Sequence, residues 1–160
     1  MEETVSPVPR EARAYQGAHA GVVSRLIANG VDAMTVAVVL AIGYAGFNGL
    51  VFMLDPQSFQ FRDASLFFSL LAAAVVLVLY QVTAWSTTGQ TYGHHVMGLR
   101  VVGPRGQRLW PPAALLRSVL CVIFPIGLLW CAVSPARRSV QDIIVRTHVI
   151  YDWQPHPAPG

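Results

Sequence analysis

The sequence predicts an all-α membrane protein with two transmembrane helices in a hairpin, a third re-entrant or transmembrane helical segment, and a small cytoplasmic β-hairpin or sheet. Three observations predict it. The 160 residues are 54% hydrophobic and only 12% charged, too apolar and too short for an ordinary soluble enzyme domain. Two apolar runs, about 31–54 and 66–85, with Asp32 at the edge of the first as their one charged residue, each reach the ~20 residues that cross a hydrocarbon core. A third, 115–133, is interrupted by Pro125, which cannot donate a helix hydrogen bond.

The basic residues are all arginine, and the net charge of +3 is unremarkable except in its placement beside apolar runs. Nucleic-acid binding is not indicated. Residues 1–20, with Glu2, Glu3, Pro7, Pro9, Arg10, Glu11 and Arg13, are expected to form a flexible cytoplasmic tail. They lack the basic start and small-residue cleavage site of a secretory signal, so the run that follows is expected to be retained as an anchor.

The membrane domain is expected over 21–151. It opens on Arg25 to Asp32, where Arg25, Asn29 and Asp32 share one helix face. A charge taken into a bilayer costs roughly 2.5–3.5 kcal/mol on insertion scales, so this face is expected to turn toward protein or a water cavity. At about 1.5 Å per residue, Ala33 to Leu54 reaches roughly 33 Å, which sets Asp32 at the edge of the span. Within it Ala33, Ala37, Ala41, Ala45 and Gly49 recur every fourth residue, a stripe that lets another helix approach closely. Alanine-rich coding bias is the bland alternative.

Asp55-Pro56-Gln57 and Arg62-Asp63 form a short loop, and the second span ends in Tyr80 and Trp85, aromatics of the kind enriched at headgroup level. Gln81 is expected to hydrogen-bond back to the first helix. From Ser86 turn chemistry takes over. Leu99 to Val102, Gly103-Pro104-Arg105-Gly106 and Gln107 to Trp110 read as a β-hairpin. Arg100, Arg105, Arg108 and Arg117 put that side in the cytoplasm, with the N-terminus. A third segment bent at Pro125 would keep Arg137, Arg138 and Arg146 on the same side, whereas a crossing would export them against the charge bias. Re-entry is the preferred reading and a third span the alternative. Arg137 to Ile144 is a short amphipathic segment, Thr147 to Tyr151 a strand able to pair with Leu99 to Val102, and 152–160 a proline-bearing tail expected to be disordered.

These pieces together resemble the RDD family of small membrane proteins, named for one arginine and two aspartates. Arg25 and Asp32 fit the first arginine and aspartate. Gly89-Gln90-Thr91-Tyr92-Gly93 followed by Met97 to Val102 resembles the family's glycine-rich loop and strand. Arg117-Ser118 is similar to its arginine-serine pair, and Asp142 with Thr147 to the second aspartate and following threonine. His94-His95 stands where basic residues are usual in the family, and Gln141 where histidine is common. The resemblance implies the membrane fold; for activity, it points only to the sodium/proton exchange with which some members of the family are linked, and fold carries over better than function.

From the residues, Arg25, Asp32, Arg117 and Asp142 are expected to form a buried charge cluster at the cytoplasmic boundary, supported by Asn29, Gln81 and Thr147. The cluster is read first as a structural latch and second as an ion path. Adjacent histidines project differently and have no evident third ligand, so no metal is expected. No nucleophile motif or phosphate-binding loop occurs, so neither an enzyme nor a cofactor is expected. Cys121 and Cys131 lie in apolar sequence and read as small buried hydrophobes. The expected role is an accessory or scaffold subunit of a larger cell-envelope or transport assembly in the bacterial plasma membrane. Its partners there would be the lipid bilayer and other membrane subunits or further copies of itself. The alternative is an oligomeric cation/proton antiporter.

Overall fold

Helix α1 runs Val22–Leu54 and α2 Leu66–Thr87, and both are long and apolar enough to cross a membrane. The computed structural model describes residues 15–61, 65–134 and 138–153. Most of the two expected tails, Arg62-Asp63 of the loop, and Arg137 lie outside the described residues. The rest of the order is α3 Tyr92–Val96, β1 Leu99–Val102, α4 Pro111–Ile123, a 3₁₀ turn Pro125–Leu128, α5 Trp130–Val133, α6 Val140–Val145 and β2 His148–Tyr151.

The 33 residues of α1 extend about 50 Å, some 20 Å more than the hydrocarbon thickness. The surplus is at the N-terminal end, where the helix begins nine residues before the expected start of the span. There Arg25, Ala28, Asp32 and Val36 turn inward and are buried. Beyond them the helix is mostly exposed, and only 11% and 6% of the most apolar windows of α1 and α2 are buried. Hydroxyl and amide side chains in the helices bond back to the preceding turn: Thr35 to Val31, Asn48 to Tyr44, Thr83 to Leu79 and Ser86 to Val82. That keeps them satisfied without water.

The expected hairpin of 99–110 is not formed. β1 pairs antiparallel with β2, Leu99 opposite Tyr151 and Val102 opposite His148. The turn does close, with Gly103 N donating to the Gln107 carbonyl at 2.8 Å. Its second arm finds no free edge, because the amide of Val101 is bonded to the Gly89 carbonyl. Leu109 instead enters the core and Trp110 caps α4, whose first turn carries Pro111 and Pro112. Residues 17–20, assigned from sequence to the tail, run along β2: Gly17 N bonds Tyr151 O, and Ala20 N bonds Val149 O. At the other end, Asp152 is ion-paired to Arg100 and Trp153 stacks on Tyr151. Residues 17–20, Asp152 and Trp153 therefore pack with the sheet. Its core joins Ala20, Ala28, Trp85, Leu99, Val101, Leu109, Ala114 and Val149.

The third apolar segment turns by 107° between α4 and the helical turns 125–133. Pro125 supplies no amide there. The exposed end of α4 is completed by Gln141, whose Nε2 donates to the Phe124 carbonyl at 2.7 Å. Gly127 is required beside it, since a Cβ would stand 2.8 Å from both Gln141 Nε2 and the Phe124 ring.

Candidate functional site

Two buried polar clusters lie against the inner face of α1. The first is centred on Asp142. Ser139 caps α6 by accepting from the Asp142 amide, and the Asp142 carboxylate accepts in return from the Ser139 amide, a capping box. This fixes the carboxylate between two guanidiniums, Arg25 on Oδ2 and Arg117 on Oδ1. Arg117 also donates to Thr147 Oγ1 at 2.7 Å, and Thr147 stands 3.3 Å from Asp142 Oδ1. All four residues are at most 2% exposed. Burial by itself would raise the pKa of Asp142, but the charges and hydrogen bonds of Arg117 and Arg25 outweigh it and hold the carboxyl well below the usual range.

The second cluster is centred on Asp32, which the sequence assigned to the same charge cluster as Asp142. Asp32 is held instead by the short segment after α2. Its Oδ2 accepts from Thr91 Oγ1 at 2.5 Å, and its Oδ1 from the Gly93 amide at 2.8 Å and Tyr80 Oη at 3.0 Å. His94 Nδ1 lies 3.6 Å from Oδ2. Asp32 faces donors throughout, the pattern of a carboxylate rather than a carboxylic acid. Gly93 makes the approach possible, because a Cβ there would stand 2.0 Å from the Ala28 carbonyl of α1.

His94 Nδ1 is 2.5 Å from Thr91 Oγ1. The single hydroxyl proton of Thr91 goes to Asp32, so Nδ1 must be the donor in that contact, which in a neutral imidazole is the Nδ1–H tautomer. Neutrality agrees with the surroundings. Burial pushes the His94 pKa down, and the positive charges of Arg117 and Arg25 add to that against the opposing pull of Asp32.

Trp85 stands between the clusters. Its ring lies under Arg117, 5.0 Å from the guanidinium carbon, and meets His94 edge to face at 6.1 Å. Arg25, Arg117, Asp142 and Thr147 are thus brought together, while Asp32 forms a neighbouring site across the indole. Asn29 is only half-buried and makes no side-chain hydrogen bond among the described residues. Gln81 is buried, but its Oε1 has no hydrogen-bond partner among the described residues and so accepts from no donor on α1. Ala33, Ala37, Ala41, Ala45 and Gly49 are all exposed among the described residues, so the stripe is left open by the described elements.

Sequence reasoning missed Tyr80, Thr91, Ser139 and Gln141 as site residues. Thr91 and Ser139 carried a usable signal, as each precedes a short helix as its cap. Tyr80 and Gln141 carried none, since their partners are distant in sequence. His94 and His95 do project differently, one buried and one exposed. No group of three His, Cys, Asp or Glu converges among the described residues.

The family model described as RDD family matches residues 19–146. No curated protein and no solved structure matches the chain.

Proposed function

Since the chain belongs to the RDD family over residues 19–146, and is a membrane protein with two helices able to span, we propose that it is an accessory or scaffold subunit of a larger assembly in the bacterial plasma membrane. The observation that carries this reading is the division of α1 into a satisfied inside and an unpartnered outside. Its two charged side chains, Arg25 and Asp32, are met by contacts within the chain, whereas its small-residue stripe is open from Ala33 to Gly49. A helix that exposes small residues at every fourth position offers a second helix close backbone contact. In this reading α1 and α2 form a hairpin with the N-terminus in the cytoplasm, and the 107° bend makes the third segment re-entrant. The test is purification in mild detergent with and without Ala41→Leu and Ala45→Leu. Wild-type chain should emerge in a defined heteromeric complex that the leucines dissolve without lowering its own thermal stability. A wild-type monomer would end the proposal.

One feature favours the antiporter as second reading. Asp32, Thr91 and Tyr80 converge oxygen atoms beside His94, hard donors of the kind that suit sodium. Against it, the 22 residues from Ala33 to Leu54 span roughly 33 Å, which sets Asp32 at a membrane edge rather than the midplane. Sodium-dependent proton flux in proteoliposomes, abolished by Asp32→Asn, would restore this view, and no flux at any pH would remove it.

A further inference from the structure

A cavity of about 290 Å³ opens where α2 ends, walled by Thr87, Gln90, His95, Arg100, Arg108 and Trp153. We propose that it receives a phosphate group, presented by the headgroup of an anionic phospholipid.

The charge inventory supports an anion. Asp152 also borders the cavity, but both of its oxygens are occupied: Oδ2 by Arg100 at 3.0 Å and Oδ1 by the Gln16 amide at 2.8 Å. Arg108 and the ring of His95 make no hydrogen bond or ion pair among the described residues, and both are exposed. One carboxylate therefore balances one of two guanidiniums, and the remaining guanidinium, an imidazole N–H and the Gln90 amide are left as donors. A guanidinium fork matches two phosphate oxygens.

Position selects the source. The 22 residues of α2 reach about 33 Å, one hydrocarbon thickness, so a cavity at the helix end meets the bilayer at headgroup depth. Trp153, a partly exposed indole on its wall, belongs to the residue class enriched at that level. Basic pockets beside membrane helices attract anionic headgroups by the same electrostatics. The volume lies at the lower limit of ligand pockets, about 300 Å³, enough for a headgroup while the acyl chains remain in the bilayer.

The test uses the full chain in neutral detergent, titrated with phosphatidylglycerol, phosphatidylcholine or inorganic phosphate, and read by native mass spectrometry and thermal unfolding. Phosphatidylglycerol should bind at least tenfold tighter than phosphatidylcholine and raise the melting temperature. Arg108→Gln should weaken that binding about tenfold, and the double variant with His95→Gln should abolish the preference. Arg100 is left intact because its loss would strand Asp152. Equal binding of the two lipids, or an undiminished preference in a double variant that melts like wild type, would overturn the proposal. Inorganic phosphate reproducing the shift at low millimolar concentration would overturn the lipid source. A double variant that melts lower without lipid is replaced by Arg108→Lys, which keeps the charge but not the fork and should lose part of the preference; an undiminished preference there counts against the site.

Discussion

Asp142 makes the clearest statement at the scale of single residues. Its carboxylate closes contacts to α1, α4 and the loop after α6 at once. Asp142→Asn would leave two buried guanidiniums facing a neutral amide, and loss of one partner of a buried pair costs about 3–5 kcal/mol. A sharply lower melting temperature or folding yield in detergent is expected, and an unchanged one would refute the latch. His94 predicts a pH dependence. Its native pKa lies below the ordinary histidine value of about 6.5, so between the two values the unfolded chain binds a proton that the native chain does not. Stability should therefore fall as pH drops below about 6.5, by at most ~1.4 kcal/mol per pH unit from this one group. His148 shifts the same way through burial and the Arg138 charge, but it is more open to solvent. Melting curves of wild type and His94→Gln from pH 8 to 5 separate them: the slope should be shallower in the variant. Asp142 adds a second loss only at lower pH, as its depressed pKa lets the unfolded chain take up the proton first, below about 3.8.

At the scale of elements, α3 is the piece that turns a loop into a site. Five residues, Tyr92–Val96, capped by Thr91, seat the Gly93 backbone against α1. Gly93→Ala should force the two apart, costing about 1–3 kcal/mol for the overlap and further for the lost bond to Asp32. Gly46→Ala is the control, since nothing stands within 4 Å of a Cβ there, and its effect should stay within about 0.5 kcal/mol. Thermal unfolding of the two variants side by side checks both. If they melt alike, close packing at Gly93 does not hold the segment. The third apolar segment follows the same rule of local satisfaction: the Phe124 carbonyl at the break accepts from the Gly127 amide at 3.1 Å and from Gln141 Nε2 of α6 at 2.7 Å.

At the scale of the molecule, the packed residues gather around the N-terminal third of α1, with the ends of α2, the short helices and the two-stranded sheet, and the long apolar shafts extend beyond. The proposed topology predicts a labelling pattern. In a chain with Cys121 and Cys131 replaced by alanine, single cysteines at Tyr15 and Val133, both exposed, should react with a membrane-impermeant thiol reagent only when the cytoplasmic face is open. A cysteine at Gln57 should react from the outside. Reaction of Val133 together with Gln57 would make the third segment a true span.

The two long helices were legible in the sequence because the cost of leaving a charge or an unbonded amide in hydrocarbon acts on each stretch separately. So was the break at Pro125, which follows from one missing amide proton. The Arg25, Arg117 and Asp142 grouping was legible through the cost of unpaired buried charge, and residues 19–146 carry enough of the pattern to declare the family. Which carboxylate meets which partner was not. Arg25 and Asp142 are 117 positions apart, and helix periodicity cannot distinguish Asp142 from Asp32 as the acceptor. Only the packed chain decided it, when Gly93 let the segment after α2 close on Asp32 and supply neutral donors there. It likewise decided that β1 pairs with β2 rather than with residues 107–110. A strand's partner is whichever edge remains free once every other backbone group is bonded, and that inventory exists only in three dimensions.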